Sequence, residues 1–221
     1  MSLITSIAKA KFNKMFEKKS QRIDVKVPLD LRLERTVSIN PDKFILGEDK
    51  LSIIQPPDDM EISAIGYYNL FDTKYYNIYL DGHDNIERLL QININEIMYY
   101  ETKWTQFNLS QDEWHKWLNE ENGFLGWKDI EIGGNNYSRI IQQDGADWIQ
   151  PITFSESITD DMFVPEVMKN QHEAMLFGRA IDLPDEELVE NLFAEKIEDN
   201  NGAYVTCRAG IMLDVSDLKI L

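Results

Sequence analysis

Three runs between residues 61 and 95 carry the clearest hydrophobic pattern in the chain. In the first, Ile62, Ala64, Gly66, Tyr68 and Leu70 alternate with Ser63, Ile65, Tyr67 and Asn69. In the second, Tyr76, Ile78 and Leu80 alternate with Tyr75, Asn77 and Tyr79; in the third, Leu90, Ile92 and Ile94 alternate with Gln91, Asn93 and Asn95. A strand turns successive side chains to opposite faces, so a period of two predicts three strands with the aliphatic positions on one side. The connections Phe71-Asp72-Thr73 and Asp81-Gly82-His83-Asp84-Asn85 have hairpin length. An antiparallel meander with one wet face follows, and its aliphatic side needs a cover because two or three strands are marginal alone.

Further along, 97–104 reads as a fourth strand. Ser110 and Glu113 then form a capping-box pattern, with Trp114, Trp117 and Leu118 on one face, which predicts a helix over 111–119. Gly123 and Gly126 bracket a turn in which Phe124, Leu125 and Trp127 are expected to plug the core. Residues 130–132, 137–141, 149–158 and 174–181 are strand candidates separated by glycine and aspartate turns. Pro184 followed by three acids predicts a short helix at 185–190, then a strand into the hairpin turn Asn200-Asn201-Gly202. In 203–213, Val205, Cys207, Ala209, Ile211 and Leu213 oppose Tyr204, Thr206, Arg208 and Met212, the pattern of a half-buried strand. Pro28, Pro41, Pro56 and Pro57 break up residues 20–60, where 52–54 reads as a short strand and 20–45 as a linker or strap. The expected fold is α+β: mostly antiparallel β-sheet with one or two short helices and an N-terminal amphipathic helix. The expected division is a basic helix over 1–20, a linker or strap over 21–57 and a single β-rich domain over 58–221.

Placed on a helical wheel, Ile4, Ala8, Phe12, Met15 and Phe16 form a stripe, bordered by Lys9 on one side and by Lys11, Lys14 and Lys18 on the other. Leu3 and Ile7 fall on the lysine side and Lys19 inside the stripe, so the wheel is imperfect. Lysines beside an apolar stripe suit an anionic membrane surface, and the same stripe suits packing on a partner or on the protein's own sheet.

Charge sharpens this division. The net charge is −17, yet residues 1–35 carry nine Lys/Arg against four Asp/Glu and the remainder carries 13 against 35. An acidic body repels nucleic acid, whose binding rests on neutralised phosphates. No apolar run approaches the roughly 18 residues of a membrane-spanning helix. The N-terminus lacks the pattern of a secretory signal, and the single Cys207 suits a reducing compartment, so a cytoplasmic protein is expected.

The chain holds no nucleophile elbow, phosphate loop, zinc-protease motif or paired-cysteine motif. The three histidines stand apart. His83, with Asp81 and Asp84, could supply half of a metal site, the basis of an alternative reading as a metal-dependent hydrolase, although a polar turn explains the same residues. His115 is expected to face solvent and His172 has no spaced partner. No catalytic residue, metal site or cofactor is otherwise indicated. Tyr67, Tyr75 and Tyr79 are expected to share the wet face of the meander with Ile65, as a partner-binding surface or beneath a second layer.

The order of these pieces resembles a family of bacterial proteins grouped as domain of unknown function 2491, the YjfK-like proteins. The matching features are Leu89 to Ile94 (LLQINI), the helix with Trp114 and Trp117, the turn of Phe124 to Trp127, the strand of Tyr137 to Ile140, and the stretch from Ala209 to Ser216 (AGIMLDVS). The likeness covers residues from about 53 onward. It implies a small bacterial cytosolic protein whose gene often lies near that of a phage-shock-protein-A-like membrane-remodelling protein. It supplies no catalytic residues. The expectation is a non-catalytic accessory protein that binds a partner protein, a membrane-remodelling protein among the candidates, and that touches the inner face of the membrane through residues 2–19.

Overall fold

A computed structural model describes residues 25–119, 123–141, 145–163, 167–183 and 187–221. The amphipathic helix expected over 1–20, with Ile4, Lys9, Lys11, Phe12, Lys14, Met15, Phe16 and Lys18, lies outside the described residues.

The predicted meander is present as β2 (Met60–Leu70), β3 (Thr73–Asp81) and β4 (Arg88–Ile92), joined by β5 (Ile97–Phe107). The later strands are β8 (Ile152–Thr159), β9 (Met168–Asp182), β10 (Glu187–Asp199) and β11 (Gly202–Leu213). β5 pairs with β11, β11 with β10, β10 with β9, β9 with β8, and β8 returns to β2. Eight antiparallel strands therefore close a barrel in the order β2-β3-β4-β5-β11-β10-β9-β8. Closure leaves no free sheet edge around the ring. Four short strands extend the sheet outside it: β1 (Thr36–Ile39) and β12 (Leu218–Ile220) beyond β2, and β6 (Asp129–Ile132) and β7 (Asn135–Arg139) beyond β9.

A register shift between Ile62 and Ala64 decides which β2 side chains enter the barrel. One inserted residue moves every later side chain to the opposite face. Ile62 and Ile65 thus both point outward, and Ala64, Gly66, Tyr68 and Leu70 point inward. The single alternation expected along β2 is broken at this bulge.

Over most of its circumference the barrel is buried on both sides, with the outer face of β8 left to solvent at Thr153 and Ser155. Its outer face carries Ile65, Ile78, Leu90, Tyr99, Ala209, Leu192 and Phe177, all within one large apolar cluster. Residues 25–57 cover this face with Leu31, Leu33, Val37, Phe44 and Ile53, and the segment from Leu109 to Tyr137 adds Trp117, Leu125 and Ile130. Each such aliphatic side chain contributes about 1.5–3 kcal/mol by leaving water. Phe44, on the short helix α1 (Asp42–Leu46), stands edge-on to Tyr99 at 5.4 Å. The predicted capped helix is α2 (Gln111–Leu118): Ser110 Oγ accepts from the Glu113 amide, and the Glu113 carboxylate accepts from the Ser110 amide. Trp117 stacks on Trp104 of β5 at 5.4 Å, which seats this helix.

Two buried carboxylates fasten the covering segments. Glu190 accepts from the Ser52 amide at 2.6 Å, the Tyr137 hydroxyl at 2.9 Å and Arg179 Nε at 2.6 Å. Glu101 accepts from the Ile54 amide at 3.3 Å and pairs with Lys103. Residues 52–54 are consequently no strand, because their amides turn to side-chain carboxylates instead of a ladder. The helix expected at 185–190 is also corrected: residues 187–190 begin the long strand β10, laddered to β9 from Glu187 and to β11 from Glu190 onward. Tertiary pairing there overrides the local helix signal of Pro184 and the acids. Of the turn at 123–127, Leu125 is buried while Phe124 is half exposed.

Candidate functional site: a cup inside the barrel

One end of the barrel interior is open. A cavity of about 440 Å³ is lined by Tyr68 and Leu70 of β2, Tyr75 of β3, Gln91 of β4, Met98 and Tyr100 of β5, Phe154 of β8, Leu176 of β9, Phe193 of β10 and Met212 of β11. All eight strands thus contribute to one wall. Small closed barrels have room for a single ligand of this kind. Three stacked contacts run around the wall: Tyr75 on Tyr68 at 5.2 Å, Tyr68 on Phe154 at 4.1 Å, and Phe154 on His172 at 4.6 Å. Gln91 Nε2 donates to the Tyr68 hydroxyl at 2.9 Å, whereas the Tyr75 and Tyr100 hydroxyls make no hydrogen bond among the described residues. Glu96, in the turn between β4 and β5, stands at the rim. Burial, then the nearby Glu156 carboxylate, pushes the Tyr68 hydroxyl well above its ordinary range, and burial, then Glu96, does the same to Tyr100. Both phenols are therefore held as neutral hydrogen-bonding groups.

Beneath the cup lies a charged floor. Glu156 of β8, His172 of β9, Glu195 of β10 and Arg208 of β11 point inward, and all are buried. His172 Nδ1 is 2.7 Å from Glu195 Oε2, and Nε2 lies 3.2 Å from Glu156 Oε2 but off the hydrogen-bonding direction. Arg208 pairs with Glu195. Glu156 also accepts from Asn77 Nδ2 at 2.6 Å and from the Tyr79 hydroxyl at 2.9 Å. Gly66 makes this possible, because a Cβ there would collide with the Glu156 carboxylate. None of these four residues lines the cup. They face one another, as buried charges must if desolvation is to be offset. Arg208 and Tyr79 border a second, smaller cavity of about 270 Å³ at the other end. A larger groove of about 590 Å³ lies outside the barrel, lined mainly by turns, including Asp72, Asn93, Asn95 and Asp214.

The structure separates the tyrosines expected to share a face. Tyr75 and Tyr79 point into the barrel, while the bulge sends Tyr67 outward, beside Tyr76 with Lys74 Nζ 4.8 Å over each ring. Ile65 is buried in the outer core. In the loop after β3, Asp81 Oδ1 accepts from the His83 amide, and Asp84 grips Arg88 at 2.6 and 2.8 Å. Those hydrogen bonds hold the Asp84 carboxyl at about 2. No group of three or more His, Cys, Asp or Glu placed to hold a metal occurs among the described residues. His115 is exposed, as expected, 2.8 Å from Asn119. His172 is a correction: its partners come from β8 and β10, far apart in sequence. One signal for the floor was present in the chain. In β8, Glu156 interrupts the otherwise apolar alternate register of Ile152, Phe154 and Ile158.

These features define a class, a closed antiparallel barrel with a lined internal cavity. The chain belongs to the DUF2491 family: the family's sequence profile, described as "Protein of unknown function (DUF2491)", matches residues 11–219. No curated protein and no solved structure matches the chain. No helix of the described residues is long and apolar enough to cross a membrane.

Proposed function

We propose that the protein is a ligand-binding accessory protein whose barrel holds one small, largely apolar molecule in the cup. The observation that carries this reading is the cavity of about 440 Å³ lined by all eight strands, seven of them with aromatic or aliphatic side chains and β4 with Gln91. Apolar concavity with sparse polar groups is the general character of small-molecule sites. The test is titration of full-length protein with the neutral, environment-sensitive dye N-phenyl-1-naphthylamine. Saturable one-to-one binding with a blue shift is expected. Met212→Trp should weaken it at least about tenfold, because Met212 lines the cup, is half exposed and so tolerates enlargement. Absence of saturable binding, or binding indifferent to Met212→Trp, overturns the reading.

A second proposal concerns residues 1–20, which we infer to contact a partner protein at the inner face of a membrane. The charge division supports it, nine Lys/Arg against four Asp/Glu over residues 1–35 of a chain with net charge −17. Flotation with anionic liposomes tests the membrane part. Full-length protein should rise with the lipid and protein lacking residues 1–22 should not; equal behaviour of the two removes it.

A further inference from the structure

We propose that the cup selects amphipathic molecules whose polar end is cationic or uncharged, and excludes those ending in an anion. This rests on the reading of the cup as a binding site and adds its ligand class.

Among the described residues no Lys, Arg or His lines the cavity, and Glu96 at the rim is the one ionisable group there other than tyrosine. A carboxylate, sulfate or phosphate entering here would lose its water and find no cation to replace it, which is the costly way to bury a charge. It would also approach a carboxylate at the entrance. The walls act in the same direction. Tyr75, stacked on one face only, and Tyr100 and Phe193, tilted together at 5.9 Å, line the interior with rings not sandwiched on both faces, and ring faces carry negative electrostatic potential. Such surfaces attract ammonium groups, and the attraction grows when the cation is desolvated. The Glu156 carboxylate beneath Tyr68 adds to the negative potential; burial, and then this charge, hold the Tyr68 proton. Arg208, the positive member of the floor, is committed to Glu195 and borders the opposite cavity. The net charge of −17 extends the same preference to the approach. The apolar body of the ligand would lie against Met98, Leu176, Phe193 and Met212, with its polar end toward Glu96 and the unpaired Tyr75 and Tyr100 hydroxyls.

Three probes sharing one octyl chain separate the possibilities: octyltrimethylammonium, tetraethylene glycol monooctyl ether and octyl sulfate. Each is titrated calorimetrically into full-length protein below its micelle concentration, in physiological salt so that diffuse surface attraction is screened. The ammonium and ether probes are expected to bind at least about tenfold more tightly than the sulfate. Glu96→Lys should narrow or reverse that ratio, with folding checked by circular dichroism. Met212→Trp should weaken the two favoured probes. If octyl sulfate binds as tightly as the others, the ligand class is overturned and the cup still stands as a binding site. If the preference is unchanged in Glu96→Lys and Met212→Trp, it belongs to the protein surface and the inference fails. If no probe binds at all, the proposed function falls with it.

Discussion

Gly66 and Glu156 show how one missing side chain makes room for a charge. An added methyl at 66 would strike the Glu156 carboxylate, which needs that space to reach Asn77 and Tyr79. Gly66→Ala should therefore cost about 1–3 kcal/mol in urea denaturation. Combined with Glu156→Ala, it should cost less than the sum of the two single changes by about 1 kcal/mol or more, because the obstacle is then gone. Gly210 is the contrasting case. A Cβ there would meet the main-chain carbonyl of Tyr99, so truncating the nearby Tyr100 ring should not rescue Gly210→Ala. Cys207 gives a second residue-scale prediction. Burial pushes its thiol up to about 12. The native protein should leave it unmodified by Ellman's reagent at pH 8, while denaturant should expose it at once. Prompt modification of native protein would mean that the seam between β5, β10 and β11 opens far more readily than its packing implies.

At the scale of elements, the hairpin from β3 to β4 is held by one ion pair. Arg88, buried, takes both oxygens of Asp84. Asp84 is itself partly exposed, and the Arg88 hydrogen bonds hold its carboxyl at about 2, below its ordinary value. The folded form thus binds the Asp84 proton more weakly than the unfolded chain does. Its contribution is complete above the ordinary carboxylate range and is lost as pH falls toward about 2. Urea midpoints measured from pH 5 to pH 2 should fall more steeply for the natural protein than for Asp84→Asn. At pH 7, Asp84→Ala should be more destabilising than the pair Asp84→Ala with Arg88→Met, since the single change strands a buried guanidinium. What the sequence revealed follows the same division between local and distant partners. The hairpins β2–β3 and β10–β11 and the Ser110 cap were legible because both halves of each are neighbours in the chain. The bulge at Ile62, which separates Tyr67 from Tyr75 and Tyr79, leaves no mark on composition. Leu188 suits a helix as well as a strand, and its pairing with Ile181 of β9 decides between them. His172 has no acid on its own face of β9, where Asn170 and Ala174 flank it, and Glu156 and Glu195 reach it from other strands.

On the scale of the whole molecule, alternation marks two faces but cannot tell inside from outside when both are buried. β11 is buried at every position from Val205 to Ile211, with aliphatics on the outer face and Thr206, Arg208 and Gly210 within. Closure depends on pairings such as Tyr99 with Ile211 and Ile65 with Thr159, which join distant parts of the chain. The ring is also unevenly stitched. β8 meets β9 over seven residue pairs, Ile152 to Ile158, but meets β2 over three, Ile65 to Tyr67. Short ladders with solvent on one side open at lower free energy than long ladders packed on both sides, and the outward Thr153 and Ser155 of β8 are exposed. The β2–β8 seam should therefore be where the barrel breathes. Hydrogen exchange followed by mass spectrometry should show amides of 152–159 losing protection before those of 190–198 and 204–212. The stack of Tyr68 on Phe154 crosses this seam at the wall of the cup. A molecule seated against both rings would tie the two strands together, so a saturating cup ligand should slow exchange in 152–159 and 65–70 more than anywhere in β10 or β11. Uniform protection across the barrel would show instead that it opens as one unit, with the seam no weaker than the rest.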